Sequence, residues 1–192
     1  MAVISGHHKM VQLLMTSTTN PNLQIRNGLT AIHDAADKGF LEITRLLMTS
    51  TENPNTAAQS GVTPIWIAAS KGHLEIVQLL MTSTNNPNLP NNVGETPIHE
   101  AASNGHLELV RLLMTSTTNP NVADNLGQTP IHGAAYGGYL EIVRLLMETT
   151  NNPNAPNNFG RTPEDLASQA GHHDIVRLFE RTNSYIITRT RV

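Results

Sequence analysis

The chain has 192 residues, of which 39% are hydrophobic, 4% aromatic and 14% charged, and its formal net charge is -3 at pH 7. This charge gives no electrostatic reason to bind nucleic acid or an anionic membrane. The chain contains no cysteine, which excludes disulfides and thiolate metal sites. Because it shows neither a long apolar run nor a signal-peptide pattern, we expect a soluble intracellular protein, cytoplasmic or nuclear.

One motif returns along the chain at a fixed spacing of 33 residues. Its glycine stands at Gly28, Gly61, Gly94, Gly127 and Gly160, and a threonine follows two positions later in every copy. An Asn-Pro pair and a Leu-Leu-Met triplet recur in the same phase. A period of this length indicates a stack of like units, each of which buries its apolar face against its neighbours.

The repeat divides the chain into one elongated domain followed by a tail. The predicted units, in chain order, are residues 1–22, 23–55, 56–88, 89–121, 122–154 and 155–181. The first unit is partial, because most of its first helix is missing, and the sixth diverges from the others. The last stretch, 182–192, breaks the pattern and is predicted to be a loose tail.

Within the unit 89–121, local signals predict two short helices. Thr96 is a good N-cap, and Pro97 suits the first helical position, where its missing N–H costs nothing. Gly105 is placed to end the first helix in the left-handed conformation, and a second helix begins near His106. The run 115–121 is poor helix material and is predicted to connect this unit to the next. The paired alanines of the first helix stay small in every full unit, which favours close helix contacts.

The motif Gly-x-Thr-Pro-Ile-His-x-Ala-Ala-x-x-Gly-His-Leu-Glu strongly resembles the ankyrin repeat over about residues 2–181. The resemblance implies an all-α solenoid of stacked helix–turn–helix repeats, with β-hairpin loops on one side and a concave surface that binds a partner protein. The sequence departs from the family after the second helix of four units, where Thr-Ser-Thr-x-Asn-Pro-Asn replaces the usual glycine-containing loop. The sixth unit carries Glu164, Asp165 and Glu180 at repeat positions, and such polar substitution suits a C-terminal capping repeat.

The sequence leaves the N-terminal end and the origin of the chain open. His8 and Lys9 replace the usual Leu-Glu, which fits a natural cap. A missing first helix fits a cut fragment equally well, and its open layer would allow end-to-end association of an otherwise monomeric protein. The similarity of the units fits recent duplication as well as deliberate design.

Nine histidines suggest metal or catalytic chemistry, but their spacing argues against both. His33, His99 and His132 occupy the same slot in different layers, so we expect them to orient turns by hydrogen bonding and not to converge on one ion. The sequence shows no nucleophile–base pair and no phosphate-binding glycine loop. We therefore expect no enzymatic activity, no metal and no cofactor.

Residues that vary between units while facing outward are the candidates for binding a partner protein. By the resemblance, they lie at the hairpin tips and along the first helices. The candidate partner-binding residues are Trp66, Ile67, Lys71, Val93, Glu95, Glu100, Asn104, Leu126, Gln128, Tyr136, Tyr139, Phe159 and Arg161. The aromatic residues Trp66, Tyr136 and Tyr139 are expected to contribute most, because Trp, Tyr and Arg dominate interface energetics. Trp66 also has a simpler explanation, which is packing in place of the histidine of its slot.

Two other functions remain open at this stage. The carboxyl-terminal residues Thr190, Arg191 and Val192 resemble the ligand of PDZ domains, which bind such peptides by strand addition. A regular stack also suits a designed or spacer solenoid that holds no partner. The sequence does not identify the partner, since the scaffold sets the shape and a few outward residues choose the ligand.

Overall fold

The computed structural model describes residue 24 and residues 26–189, with side chains described for residue 24 and residues 27–182. The predicted partial unit 1–22, with its open question of an N-terminal cap, and the carboxyl-terminal residues 190–192 lie outside this part. The described residues form ten α-helices after a short 3-10 turn at Arg26–Gly28. In chain order the helices are α1 (Ala31–Lys38), α2 (Leu41–Met48), α3 (Pro64–Lys71), α4 (Leu74–Met81), α5 (Pro97–Ser103), α6 (Leu107–Met114), α7 (Pro130–Gly137), α8 (Leu140–Met147), α9 (Pro163–Ala170) and α10 (His173–Arg189).

The start of each first helix follows the predicted capping chemistry. At α5, Thr96 has an extended backbone and Pro97 is the first helical residue. The backbone N–H of Thr96 donates to Nδ1 of His99 at 3.0 Å, which closes a capping box across the first turn. After α5, Gly105 adopts the left-handed conformation with φ 78°. The predicted helix start, the helix end and the two-helix unit are therefore confirmed.

The loop after each second helix is held by its own side chains. Beyond α6, the hydroxyls of Thr115 and Ser116 donate to the carbonyls three residues earlier, both at 2.7 Å. These bonds satisfy carbonyls that a helix end leaves without a partner. Asn121 Oδ1 then accepts the backbone N–H of Ile131, near the start of α7, at 3.2 Å. The Thr-Ser-Thr-x-Asn-Pro-Asn run thus ends one repeat and caps the next without the glycine that the family usually has.

The repeated apolar residues form one continuous core. Each first helix packs against its own second helix and against the first helices of the neighbouring repeats, whereas second helices contact one another less. The isoleucine after the proline position and both alanines are 0% exposed in all four full units. The fully buried residues of this layer are Ile32, Ala35, Ala36, Ile65, Ala68, Ala69, Ile98, Ala101, Ala102, Ile131, Ala134 and Ala135. The prediction that the alanines allow close helix contact is confirmed.

Two sets of histidines join neighbouring repeats. The first set lies in the Thr-Pro-x-His slot: His99 Nε2 donates to the carbonyl of Gln128 in the next repeat at 3.1 Å, while Nδ1 accepts from Thr96. The same bridge joins His33 to Val62 and His132 to Arg161. The second set bonds to the preceding repeat, linking His73 to Asp37, His106 to Ser70 and His172 to Tyr136 through their backbone carbonyls. The predicted hydrogen-bonding role of the histidines is confirmed.

The loops between repeats project as four short turns, called fingers below, at residues 58–62, 91–95, 124–128 and 157–161. In the second finger the N–H of Asn91 donates to the carbonyl of Glu95 at 2.9 Å. Neighbouring fingers are linked by one backbone bond each, such as Asn125 N–H to the carbonyl of Val93 at 3.0 Å. The expected β-hairpin loops are therefore hairpin-shaped turns, and the described residues contain no β-strand.

The last helix differs from the sequence-based expectation. α10 continues to Arg189, past the predicted start of a loose tail at Thr182. The segment 181–189 contains neither glycine nor proline, so no residue in it ends the helix. The division of the chain into units and a tail remains a prediction, but residues 182–189 are helical where the sequence suggested a loose tail. Within the described residues, no helix is both long and apolar enough to span a membrane.

Candidate functional site

A cleft of about 410 Å³ runs along the first helices and fingers of the last three repeats. The helices α5, α7 and α9 form its floor, and the three fingers from 91–95 to 157–161 form one wall. Six of the predicted partner-binding residues line it, namely Glu95, Glu100, Leu126, Gln128, Tyr136 and Arg161. The structure therefore brings together side chains from three repeats that are far apart in sequence.

The histidine bridges hold this wall against the floor. His99 on α5 bonds to the finger carbonyl of Gln128, and His132 on α7 bonds to that of Arg161 at 3.3 Å. Burial lowers the pKa of both histidines, which favours the neutral ring. A neutral ring with a proton on Nε2 accepts through Nδ1 and donates through Nε2, as both bridges require. Two buried histidines thus tie the fingers to the helices that form the floor of the cleft.

Three carboxylates lie along the cleft. Asp124 Oδ1 accepts the backbone N–H groups of Leu126 and Gln128 at 2.8 and 2.7 Å, which shapes the finger. Glu95 accepts from the amide of Asn91 at 2.9 Å. Burial raises the pKa of Glu100, and the nearby charge of Glu95 raises it further. The middle of the cleft is therefore acidic and partly desolvated.

Arg161 is the cationic residue among those that line the cleft. It stands on the last finger, where Nη1 donates to Oε1 of Gln169 on α9 at 3.1 Å. The side chain is exposed, so its charge stays available at the C-terminal end of the cleft. The cleft thus has an acidic middle and one basic end.

Exposed apolar side chains border the acidic middle. Tyr136 on α7 is 58% exposed and lines the cleft. The finger residues Val93, Leu126 and Phe159 are 53%, 51% and 63% exposed and occupy the same position in three successive fingers. These three residues are called the finger stripe below. Phe159 therefore lies at the surface and is not buried in the stack.

Four predicted residues lie elsewhere on the molecule. Trp66 and Ile67 on α3 are half-buried, and Lys71 at the end of that helix forms an ion pair with Asp37 at 3.8 Å. Asn104 is exposed and does not line the cleft. Trp66 replaces the bridging histidine of its repeat, and its indole N–H is buried without a hydrogen-bond partner in the described structure. Their role in partner binding remains a prediction.

Tyr139 occupies a stacking position between two repeats. Its ring is half-buried and lies directly against Gly105 of the preceding repeat and against Gly137. His106 lies in the same way against Gly72, one repeat earlier. The structure therefore gives Tyr139 a packing contact, and its predicted role as a binding hot spot remains untested.

Further residues line the cleft that the set of candidates did not include. Ser103 and Gln169 share the slot of Tyr136 in their repeats, and Leu166 shares the slot of Glu100. Asp124 lies three positions before the finger glycine, a slot that also varies, with Ala58 in an earlier repeat. A comparison of every position that varies between repeats, including positions not adjacent to the finger glycine, would have identified these residues.

Carboxylates, one guanidinium group, two histidines and apolar side chains line the cleft. Across the residues that the structure describes, no group of three or more His, Cys, Asp or Glu side chains could hold a metal ion. The two histidines of the cleft already use both ring nitrogens in the bridges. The carboxylates, the guanidinium group and the exposed apolar side chains remain to contact a ligand.

The chain matches a family model described as ankyrin repeats (three copies), over residues 1–91, 51–124, 76–157 and 98–188. No curated protein matches it. The matched segments together cover almost the whole chain, and the stacked helix pairs, fingers and histidine bridges agree with them. This chain belongs to the ankyrin repeat family.

Proposed function

We propose that this chain is a non-enzymatic scaffold that binds a partner protein in the cleft and along the finger stripe. Ankyrin repeats are generally protein–protein interaction modules, and the family is typically non-enzymatic. The proposal takes the cleft as the concave, partner-binding face that the family resemblance implies.

One observation carries the proposal. The isoleucine and alanine residues that repeat on the first helices are fully buried, whereas the positions that open into the cleft differ in size and charge from repeat to repeat. The position of Tyr136, for example, is occupied by Asp37, Ser70, Ser103 and Gln169 in the other repeats. A stack that served only as a spacer would need no such variation on one exposed face, because repeat stability depends on the buried contacts.

Tyr136 is the residue on which partner binding should depend most. Its ring is exposed, and its neighbours supply both polar and apolar contacts. An exposed tyrosine provides a large amphipathic contact area for a partner, and its side chain loses little conformational entropy on binding. Truncation to alanine should cost about 1–3 kcal/mol of binding free energy.

Affinity capture from a lysate of the source organism tests the proposal, with wild type, Tyr136→Ala and Leu89→Ala as parallel baits. Leu89 is also an exposed apolar residue, at 37%, but it does not line the cleft. We expect a protein that wild type and Leu89→Ala retain and that Tyr136→Ala loses. Equal capture by all three baits would show that binding, if any, takes place outside the cleft.

A further inference from the structure

The charged residues of the cleft are arranged differently from those on the second helices. On α2, α6 and α8, a glutamate forms an ion pair with an arginine of its own helix, as in Glu108–Arg111 at 3.9 Å. In the described structure, Glu95, Glu100 and Asp124 form no ion pair; they accept hydrogen bonds from neutral groups. These three outer helices thus pair their glutamate with an arginine, and among the described residues the carboxylates of the cleft have no such partner.

The unbalanced charge lies beside apolar surface. Asp124 and Leu126 belong to one finger, and Glu95 adjoins the Val93 position of the preceding finger. The backbone bond from Asn125 to Val93 fixes these two fingers relative to each other. Half-buried carboxylates next to exposed aliphatic side chains would be matched by a ligand with a cation and an apolar group close together.

We propose that the partner contributes a protein segment in which a lysine or arginine stands next to aliphatic or aromatic residues. The cation contacts Glu95 and Glu100 in the middle of the cleft, and the apolar side chains cover Leu126 and the rest of the finger stripe. Arg161 repels a second cation at the C-terminal end and thereby fixes the direction in which the segment lies. This inference rests on the proposed function, since it assigns the chemistry of the partner in the same cleft.

Other classes of ligand fit the cleft less well. Phosphate groups of nucleic acids and anionic lipid headgroups would face three carboxylates and one guanidinium group. A free metal ion would find no cluster of ligands among the described residues. A basic and apolar protein segment satisfies both features of the cleft at once.

A library of random peptides displayed on phage provides a probe that does not assume a partner. We expect selection on the wild-type protein to enrich peptides with lysine or arginine beside Leu, Ile, Val or Phe. The affinity of a selected synthetic peptide, measured by fluorescence anisotropy, should fall by about 3- to 30-fold in Glu100→Gln and in Leu126→Asn. It should rise or stay equal in Arg161→Gln, and the salt dependence should weaken in Glu100→Gln.

Glu108→Gln is the matched control, because it removes the same charge from an outer helix and should leave the affinity unchanged. Selection of acidic peptides, failure to enrich any peptide, or equal affinity for wild type and Glu100→Gln would overturn the partner chemistry. If Tyr136→Ala still weakens the selected peptide in the last case, the cleft remains the binding site and only its proposed specificity is wrong. If neither variant changes the affinity, the proposed function fails as well.

Discussion

Gly105 lies at a close contact between neighbouring repeats, and replacing it with alanine tests how the stack is held. The glycine ends α5 with φ 78°, and the ring of Tyr139 from the next repeat lies directly against it. An added Cβ would clash with that ring. Because Tyr139 is clamped between Gly105 and Gly137, it has little room to move away.

Two costs add in Gly105→Ala. An L-residue in the left-handed region costs about 1–2 kcal/mol relative to glycine. Overpacking against the ring adds about 1–3 kcal/mol. We therefore expect the free energy of unfolding to fall by about 2–5 kcal/mol.

Gly171 supplies the matched control at the same slot of the last repeat. Its φ is 82°, but no described atom lies within 4 Å of the position that a Cβ would take. Both glycines are followed by a histidine whose N–H bonds to the preceding helix at 2.9 Å, so the cap geometry is the same. Gly171→Ala should therefore cost only the conformational part, about 1–2 kcal/mol.

Equilibrium unfolding in urea, followed by circular dichroism and by the fluorescence of the single tryptophan, measures both variants. A double-mutant cycle with Tyr139→Ala isolates the contact, because the clash should disappear when the ring is removed. If Gly105→Ala and Gly171→Ala lower the free energy of unfolding equally, the contact between Gly105 and Tyr139 does not stabilise the stack. The same conclusion follows if Tyr139→Ala does not reduce the destabilisation caused by Gly105→Ala.

Three further predictions concern hydrogen bonds between repeats and at a helix start. Burial lowers the pKa of His33, His99 and His132 in the folded state below the unfolded value of 6.5. The stability that these neutral histidines contribute is therefore complete above pH 6.5 and is lost as the pH falls through the folded-state pKa. Urea unfolding across this range should show a slope of at most about 1.4 kcal/mol per pH unit for each histidine, and His99→Gln should reduce it. Asn88→Ala leaves a buried N–H of α5 without its acceptor and should cost about 1–3 kcal/mol in urea unfolding, whereas Asn86→Ala, at an exposed position of the same loop, should cost almost nothing. Replacing the threonine N-cap of α5 by alanine should cost about 0.5–2 kcal/mol in the same assay, and an unchanged midpoint would contradict the capping box.

The sequence predicted the fold well because each repeat carries the same local signals. Thr96, Pro97 and Gly105 set the bounds of α5 by backbone chemistry that is visible in the sequence itself. The period of 33 residues then places equivalent residues in adjacent layers. Local signals and repeat spacing together therefore predict the helix pairs and the core.

The candidate site was predicted only in part, because a varying residue can vary for two reasons. Tyr136 and Tyr139 both depart from the repeat pattern, but Tyr136 opens into the cleft and Tyr139 fills a gap between repeats. The orientation that separates them depends on contacts with the neighbouring repeat, which sequence spacing does not show. The length of α10 was missed for a related reason, since no glycine or proline marks where it stops.

The most direct test of the central claim is the dissociation constant of Tyr136→Ala for the protein captured by wild type, measured by calorimetry. The exposed position of Tyr136 predicts that binding weakens by about 5- to 150-fold while the urea midpoint stays within error of wild type. Wild-type affinity in this variant would contradict the assignment of the cleft as the binding site.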